Sequence, residues 1–557
     1  MLRRLFLMGL LVVGGPVLFA GPVQDLTGEQ AEELADSVGP VLGDWLSALA
    51  SGKTPSQPVM DDFRAAGPGS RPWMDWGRKG LSGKKTGIWN GPQQDFAAWW
   101  QSLADPIGNV ESISHTKSKI IGVRPGGQDE FSTAVLWELS HPGHNQVWIE
   151  LEVDWIRQAE PNAISARILS YAVSSTQDPM FVERTKGVFS GDPFAAQTVA
   201  LGGREWAQSL DDSAASAWFG HQGMAVGDVN GDGLPDLYLG MPSGVGNLML
   251  VQQPDGSVRD WAHDSGVDWY DDTKGVLLID LDGDGDRDLV TTLNHFLVLH
   301  ANDGKGKFEV RGWCAAPDES AFYSIAAADV DQDGDLDLFG TRYVTTRYGE
   351  SIPVPFEDAT NGPSNHLFLN QGEFRFVDGT AAMGLAQNNS KFSLAASFED
   401  FDGDGDCDLY VANDFGRNQL FRNDGKRFVD VAAELGVEDQ AAGMGVSWAD
   451  ADGDGDMDLH VSNMFSSAGR RVAFQGAFHS GADDRALAGI RRHAQGNSLW
   501  LQGDDGKFID ASDRAGIRMG RWSWGTLFTD LNGDGQPDLY GPNGFMTGVD
   551  KSKSGDL

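Results

Sequence analysis

The nine residues Asp400-Phe-Asp402-Gly-Asp404-Gly-Asp406-Cys-Asp408 constrain the chain more than any other stretch. Carboxylates stand at positions 1, 3, 5, 7 and 9, and a glycine at position 6 marks a sharp turn. No apolar core can form around so much like charge without a counterion. Oxygen ligands this dense, with glycine at the sixth position, match the needs of Ca2+. The run Leu409-Tyr410-Val411-Ala412 follows at once and reads as a short buried strand.

The pattern recurs five more times. The expected metal ligands are Asp228, Asn230, Asp232 and Asp236; Asp280, Asp282, Asp284 and Asp288; and Asp329, Asp331, Asp333 and Asp337. Then come Asp400, Asp402, Asp404 and Asp408; Asp450, Asp452, Asp454 and Asp458; and Asp530, Asn532, Asp534 and Asp538. An EF-hand would need a bidentate glutamate at position 12. Here that position holds Leu239, Thr291, Gly340, Val411, Val461 and Gly541, each in or just past a strand. The loops are therefore strand-borne, with position 9 closing the site. The two loops containing asparagine, at 228 and 530, carry less charge and are expected to bind more weakly.

Acidity follows from the same loops. The chain carries 81 acidic against 42 basic side chains, a formal charge of -39, and the six loops alone hold 26 aspartates. The charge is thus a metal signal first, and it argues against nucleic acid as a partner. The two cysteines, Cys314 and Cys407, do not make a disulfide framework.

The shorter gaps between loops are near fifty residues, a period of repeat architectures. Between them the text also repeats: Asn365-His-Leu-Phe-Leu-Asn370 precedes Phe376-Val-Asp378, Asn418-Gln-Leu-Phe-Arg-Asn423 precedes Phe428-Val-Asp430, and Asn497-Ser-Leu-Trp-Leu-Gln502 precedes Phe508-Ile-Asp510. Each unit reads as four short antiparallel strands, the aspartate loop joining the first to the second. The expected fold is mainly β: a β-propeller of six or seven blades with four strands each, over residues 179–548. Residues near Phe181–Val188 are expected to lend a strand to the truncated last unit and so latch the ring. Two long gaps, 341–364 and 464–496, read as insertions. The second carries Arg470-Arg471 and Arg491-Arg492-His493, read as a solvated loop or as a contact for an anionic ligand.

The loops resemble FG-GAP/VCBS repeats. The stretch from about 323 to 548 is similar, more narrowly, to the cartilage acidic protein/UnbV family. The carrying residues are Asn413-Asp-Phe-Gly416, Asn463-Met-Phe-Ser-Ser-Ala-Gly469, Arg491-Arg-His493 and Asn543-Gly-Phe-Met-Thr-Gly548. The resemblance implies an exported, calcium-dependent propeller used for binding or adhesion. It implies no reaction.

Ahead of the repeats, residues 21–178 have a different character and are expected to form a small α+β domain. Thr27-Gly-Glu-Gln30 has capping-box spacing, and Ala31, Leu34, Val38, Leu42, Trp45 and Leu49 recur at helical intervals. Gly39-Pro40 is expected to kink or split that helix. Residues 52–92 read mostly as loop, and Gln94–Leu103 as a second helix. Phe131–Leu139, Val147–Trp155 and Ile164–Val173 read as strands, the middle one alternating apolar and polar. Two helices followed by a curved sheet resemble the nuclear-transport-factor-2-like fold. His141 and His144 read as a solvated hairpin tip.

Arg3-Arg4 followed by the apolar Leu5–Val13 and the small residues Ala20-Gly21 reads as an export signal over residues 1–20. The Arg pair also resembles the twin-arginine motif. Residues 549–557 read as a polar tail. The expected localisation is secreted or periplasmic. The expected role is a binding, adhesion or scaffold module for an extracellular or envelope protein or glycan, without a transmembrane segment. The alternative is a polysaccharide-active hydrolase or lyase, but no nucleophile or acid/base motif stands apart from the metal loops.

Overall fold

The computed structural model describes residues 26–543 apart from 56–58, 67–73, 79–80, 87–88, 91, 108–112, 114, 128, 142–144, 177–181, 201–222, 319, 346–357, 479–480 and 482. The export signal, the polar tail, His144 and Gly544–Gly548 fall outside the described residues. The chain divides into two compact units. One comprises residues 1–182 with 466–494 and 530–536, and the other 183–465 with 495–529 and 537–557.

In the first unit, α1 (Gly28–Ala50) starts at the predicted capping box, with Thr27 and Gln30 bonded reciprocally. It runs through Pro40 without ending. The prediction of a split fails because Pro40 lies on the exposed side, while Val38, Val41, Leu42 and Trp45 bury the opposite stripe. That burial outweighs one lost backbone bond. Helix α2 (Phe96–Ala104) is capped by Asp95.

The helices accompany an eight-stranded sheet: β1 (Val59–Ala66), β2 (Met74–Arg78), β3 (Leu81–Thr86), β4 (Gln93–Gln94), β5 (His115–Pro125), β6 (Glu130–His141), β7 (Asn145–Ile156) and β8 (Asn162–Thr176). Its order is β2-β3-β8-β7-β6-β5, and β1 joins β8 in parallel. The predicted alternation along β7 holds, with Val147, Ile149, Leu151, Val153 and Trp155 buried. Residues 52–92 contain β1, β2 and β3 rather than mostly loop. Their pairing comes from the long backbone of β8, which needs no side-chain pattern to recruit a hairpin. The core joins Trp45, Trp99, Trp137 and Trp155 with Phe63 and Phe131.

The 464–496 insertion is not a solvated loop. It forms two helices, Ser467–Ala473 and Asp484–His493, and residues 466–494 belong to the first unit. Arg471 pairs with Glu32 and donates to the Ile120 carbonyl, and Gln475 donates to the Val123 carbonyl. Arg471 is thereby committed within the protein instead of facing an anionic ligand.

The second unit is a series of antiparallel meanders. Sheet I comprises Met224–Gly227, Asp236–Leu239, Leu248–Gln252 and Val258–Asp260; sheet II comprises Val276–Ile279, Asp288–Leu293, Phe296–Asn302 and Phe308–Ala315. Sheet III comprises Ser320–Ala328, Asp337–Thr345, His366–Asn370 and Phe376–Asp378. Sheet IV comprises Phe392–Glu399, Asp408–Phe415, Gln419–Asn423 and Phe428–Asp430; sheet V comprises Gly443–Ala449, Asp458–Asn463, Ser498–Gln502 and Phe508–Asp510. Sheet VI has two described strands, Leu527–Thr529 and Asp538–Tyr540, instead of the expected four.

Successive sheets stack face to face. One cluster joins Tyr238 and Met249 to Leu278 and Leu289, the next joins Val290 and Leu299 to Phe322 and Leu338. Phe339 and Leu367 then meet Leu409 and Phe421, and Tyr410 and Leu420 meet Leu459 and Trp500. Middle sheets are thus buried on both faces, which explains runs such as Leu409–Ala412 with no polar alternation. The first asparagine of each repeated text ties strand 3 to strand 2. Asn365 Oδ1 accepts the Arg342 N–H, Asn418 that of Asn413 and Asn497 that of Asn463.

Among the described residues, the predicted latch near Phe181–Val188 does not form; Phe181 itself lies outside them. Thr185–Val188 is a short helix, and the segment after it lays Phe189 and Ala195 against Leu248 and Leu250 of sheet I. Apolar residues in that segment find a sheet face to cover instead of a sheet edge to extend.

Candidate metal centres

Every aspartate loop is wound by its own backbone. Position 1 accepts two or more N–H groups. In the 400 loop, Asp400 Oδ1 takes the Asp404 N–H at 3.1 Å and Oδ2 takes that of Gly405 at 3.0 Å. The same bond from the position-6 glycine recurs at Gly233, Gly285, Gly334, Gly455 and Gly535. These glycines have φ between +83° and +103°, a conformation that a side chain would strain, which is why the position is invariant across the six loops. Position 4 is also left-handed and is glycine except at Gln332, whose φ is +59°. Gln332 offsets that cost by donating its amide to the Asp406 carboxylate.

Position 9 joins the loop to its sheet. Asp408 Oδ2 accepts the Phe401 N–H at 3.2 Å, while Oδ1 accepts the Asn423 N–H from the third strand at 2.8 Å. Asp236, Asp288, Asp337 and Asp458 make the same two bonds. All five are almost wholly buried.

The predicted ligands converge in the four all-aspartate loops. Oxygens of Asp280, Asp282 and Asp288, of Asp329, Asp331 and Asp333, of Asp400, Asp402 and Asp404, and of Asp450, Asp452 and Asp458 lie within 4.8 Å of one another. Asp284, Asp337, Asp408 and Asp454 stand beside these triads as the remaining predicted ligands. Among the described residues, Asp228, Asn230, Asp232 and Asp236, and likewise Asp530, Asn532, Asp534 and Asp538, do not bring three carboxylates together. In the 228 loop the Asn230 amide instead donates to Asp232 at 3.1 Å.

The electrostatics of the loops suit a bound cation. Burial, with the neighbouring position-3 and position-5 carboxylates adding to it, pushes Asp288 and Asp458 up to about 6 and Asp337 and Asp408 up to about 7. Burial and the position-5 charge likewise raise Asp282, Asp331, Asp402 and Asp452. Asp331 Oδ1 and Asp452 Oδ1 are shielded from water and have no hydrogen-bond partner. A buried orphan acceptor is costly, and a carboxylate oxygen pointing into a cluster of carboxylate oxygens is what a hard divalent cation would satisfy. The donor set, all oxygen, fits Ca2+ and lacks the nitrogen or sulfur of a zinc site.

Sequence reasoning missed the amides that support position 9: Gln252, Asn302, Asn370, Asn423 and Gln502. Their signal was visible for three of them, as the last residue of the repeated six-residue text.

Fold and loops together define a protein of stacked four-stranded β-repeats, each carrying an aspartate loop between its first and second strands. Three stretches match the FG-GAP-like repeat family: residues 228–291, 280–340 and 400–461. The chain is also similar to cartilage acidic protein 1 of Xenopus tropicalis, at 27% identity over 202 residues. That match covers 35% of this chain and 29% of the relative, so the chain spans under a third of the relative's length. Among solved structures, an Agrocybe aegerita lectin that recognises non-reducing terminal N-acetylglucosamine aligns with TM-score 0.34 and 16% identity, covering 58% of this chain and 75% of the lectin. The V. cholerae biofilm matrix protein Bap1 aligns with TM-score 0.27 and 17% identity, over 52% of this chain and 38% of Bap1.

Proposed function

We propose that the protein is an exported, calcium-loaded β-propeller that serves as a binding, adhesion or scaffold module and not as a catalyst. The observation that carries this reading is the fourfold recurrence of a carboxylate triad within 4.8 Å at the same place in four successive sheets. Two like charges some 4–5 Å apart repel by roughly 3–4 kcal/mol at an effective dielectric near 20. Four such clusters rival the 5–15 kcal/mol or so that holds a typical domain together. Bound Ca2+ would reverse the sign at each loop, held by the side chains at positions 1, 3, 5 and 9. Its role is structural: it fixes the turn from the first strand to the second.

FG-GAP-like repeats in an acidic chain, together with the apparent export signal, support a partner outside the cytoplasm, either a protein or a glycan. Among the described residues no helix is long and apolar enough to cross a membrane. Face-to-face stacking of sheets I to V, with a sixth sheet following, supports the reading of a propeller of six or seven blades.

The test has two parts. Excess chelator should lower the melting temperature strongly, and millimolar Ca2+ should restore it better than Mg2+, which demands a tighter octahedron. The calcium-loaded chain should then retain glycans or envelope proteins that the chelated chain releases. A melting curve indifferent to chelator would sink the calcium reading.

A further inference from the structure

The peptide group at position 2 of the first four aspartate loops is held from both sides. Its N–H donates to the position-9 carboxylate of its own loop, as Val330 does to Asp337 at 3.0 Å. Its carbonyl accepts a side-chain amide from the following sheet. Asn302 Nδ2 donates to the Val229 carbonyl at 2.8 Å, Asn370 to Leu281 at 3.3 Å, Asn423 to Val330 at 2.9 Å, and Gln502 Nε2 to Phe401 at 3.1 Å.

Each of these amide residues also gives its backbone N–H to the position-9 aspartate of its own sheet. The distances are 2.9 Å at Asp288, 2.8 Å at Asp337, 2.8 Å at Asp408 and 2.9 Å at Asp458. One residue therefore touches two neighbouring loops. The line runs unbroken: Asp236, the Val229 peptide, Asn302, Asp288, the Leu281 peptide, Asn370, Asp337, the Val330 peptide, Asn423, Asp408, the Phe401 peptide, Gln502 and Asp458. All four amides are buried, so no water competes for these bonds. The arrangement recurs at every junction between sheets I and V, where stacking alone would not require a buried amide.

We propose that Asn302, Asn370, Asn423 and Gln502 are positioning residues that couple calcium occupancy of one loop to that of the next, so that the loops fill cooperatively along the chain. The inference rests on the calcium reading of the loops. With a cation held in the loop, the position-9 carboxylate would keep its bond to the third-strand N–H, and the side-chain amide of that residue would in turn hold the position-2 peptide of the preceding loop. Order at one site thereby lowers the cost of ordering its neighbour. Gln502 shows that the bridge depends on the amide and not on the length of its stem.

The experiment is calorimetric titration of the full chain with Ca2+. Wild type should titrate more steeply than independent sites. Asn423→Ala should flatten the curve and raise the calcium concentration needed by the two flanking loops about tenfold, the scale of lost outer-shell support. Asn423→Gln should restore the slope. Asn418→Ala is the control: Asn418 is equally buried and holds the Asn413 N–H at 2.8 Å, but lies off the line, so it should lower the melting temperature and leave the slope intact. Asn370→Ala reads the adjoining junction should Asn423→Ala not fold. An Asn423→Ala titration identical to wild type, a wild-type titration without cooperativity, or equal flattening by Asn418→Ala overturns the coupling while calcium binding stands. No calcium uptake by wild type removes the calcium reading itself, and the coupling with it.

Discussion

Arg471 grips Glu32 through two parallel hydrogen bonds, Nε to Oε1 at 2.8 Å and Nη2 to Oε2 at 2.7 Å, across 439 residues of sequence. The guanidinium has a third acceptor in the Ile120 carbonyl at 2.6 Å. Arg471→Ala should destabilise the first unit by about 1–2 kcal/mol, the lower end reflecting solvent screening at half-exposed Glu32. Arg471→Lys should recover little, because a point charge cannot fork. A double-mutant cycle with Glu32→Gln in urea checks this, and zero coupling would dissolve the pair as a stabilising contact.

Among the loops, loss should track carboxylate convergence. Asp404 belongs to a triad, whereas Asp534 lies in an asparagine-containing loop that assembles none. In saturating Ca2+, Asp404→Ala should lower the melting temperature by more than Asp534→Ala. Equal losses would show that the triads do not distinguish occupied loops from weak ones.

His300 supplies a pH dependence away from the loops. Trp269 Nε1–H donates to His300 Nε2 at 3.0 Å, so the proton sits on Nδ1 and points at the Leu289 carbonyl. Burial lowers the imidazole to about 4. A second proton would set two donors against each other. With the folded value below the unfolded value of roughly 6.5, this stability is complete above that pH and drains away as pH falls toward 4. Between pH 6.5 and 5 the loss is about 2 kcal/mol. In calcium-saturated protein, His300→Gln should shrink the drop in melting temperature between pH 7 and pH 5. An unchanged drop would remove His300 from the acid response.

Limited proteolysis probes the division into units. A single cut between residues 182 and 223 should leave two fragments that co-elute on gel filtration, since residues 466–494 complete the first unit. The fragments should part only in denaturant. Separation under native conditions would contradict the assignment of the two helices.

Much of this was legible in the sequence because it is local. Nine-residue loops, the Thr27 capping box and the alternation of Val147–Trp155 are set by neighbours a few residues away. The strand-2 tie made by Asn365, Asn418 and Asn497 reaches 23, 5 and 34 residues back, yet its recurrence was displayed in the text even without its purpose. What escaped was long-range. Strands β1 to β3 pair through backbone recruited by β8, leaving no period to read. Pro40 is tolerated because of a buried stripe on the far side of α1. The insertion looked like a loop because it interrupts the repeated text, and its docking depends on Arg471 and Gln475 meeting partners more than 350 residues away. Asn423 spans 93 residues to reach Val330, so its text was readable and its role was not.

The helices that complete the first unit are encoded almost 300 residues after the rest of it. A chain emerging amino-end first from a ribosome or an export channel therefore presents α1 and β1–β8 long before Ser466–Ala494 arrives to seal them. Sheets I to IV can stack in the interval, and the amino-terminal core draws on its own residues, but Glu32 and the Ile120 and Val123 carbonyls wait for Arg471 and Gln475 from the fifth repeat. The earliest segment to emerge is thus among the last to be finished, and a chain stalled before residue 471 leaves Glu32 without the guanidinium that pairs with it.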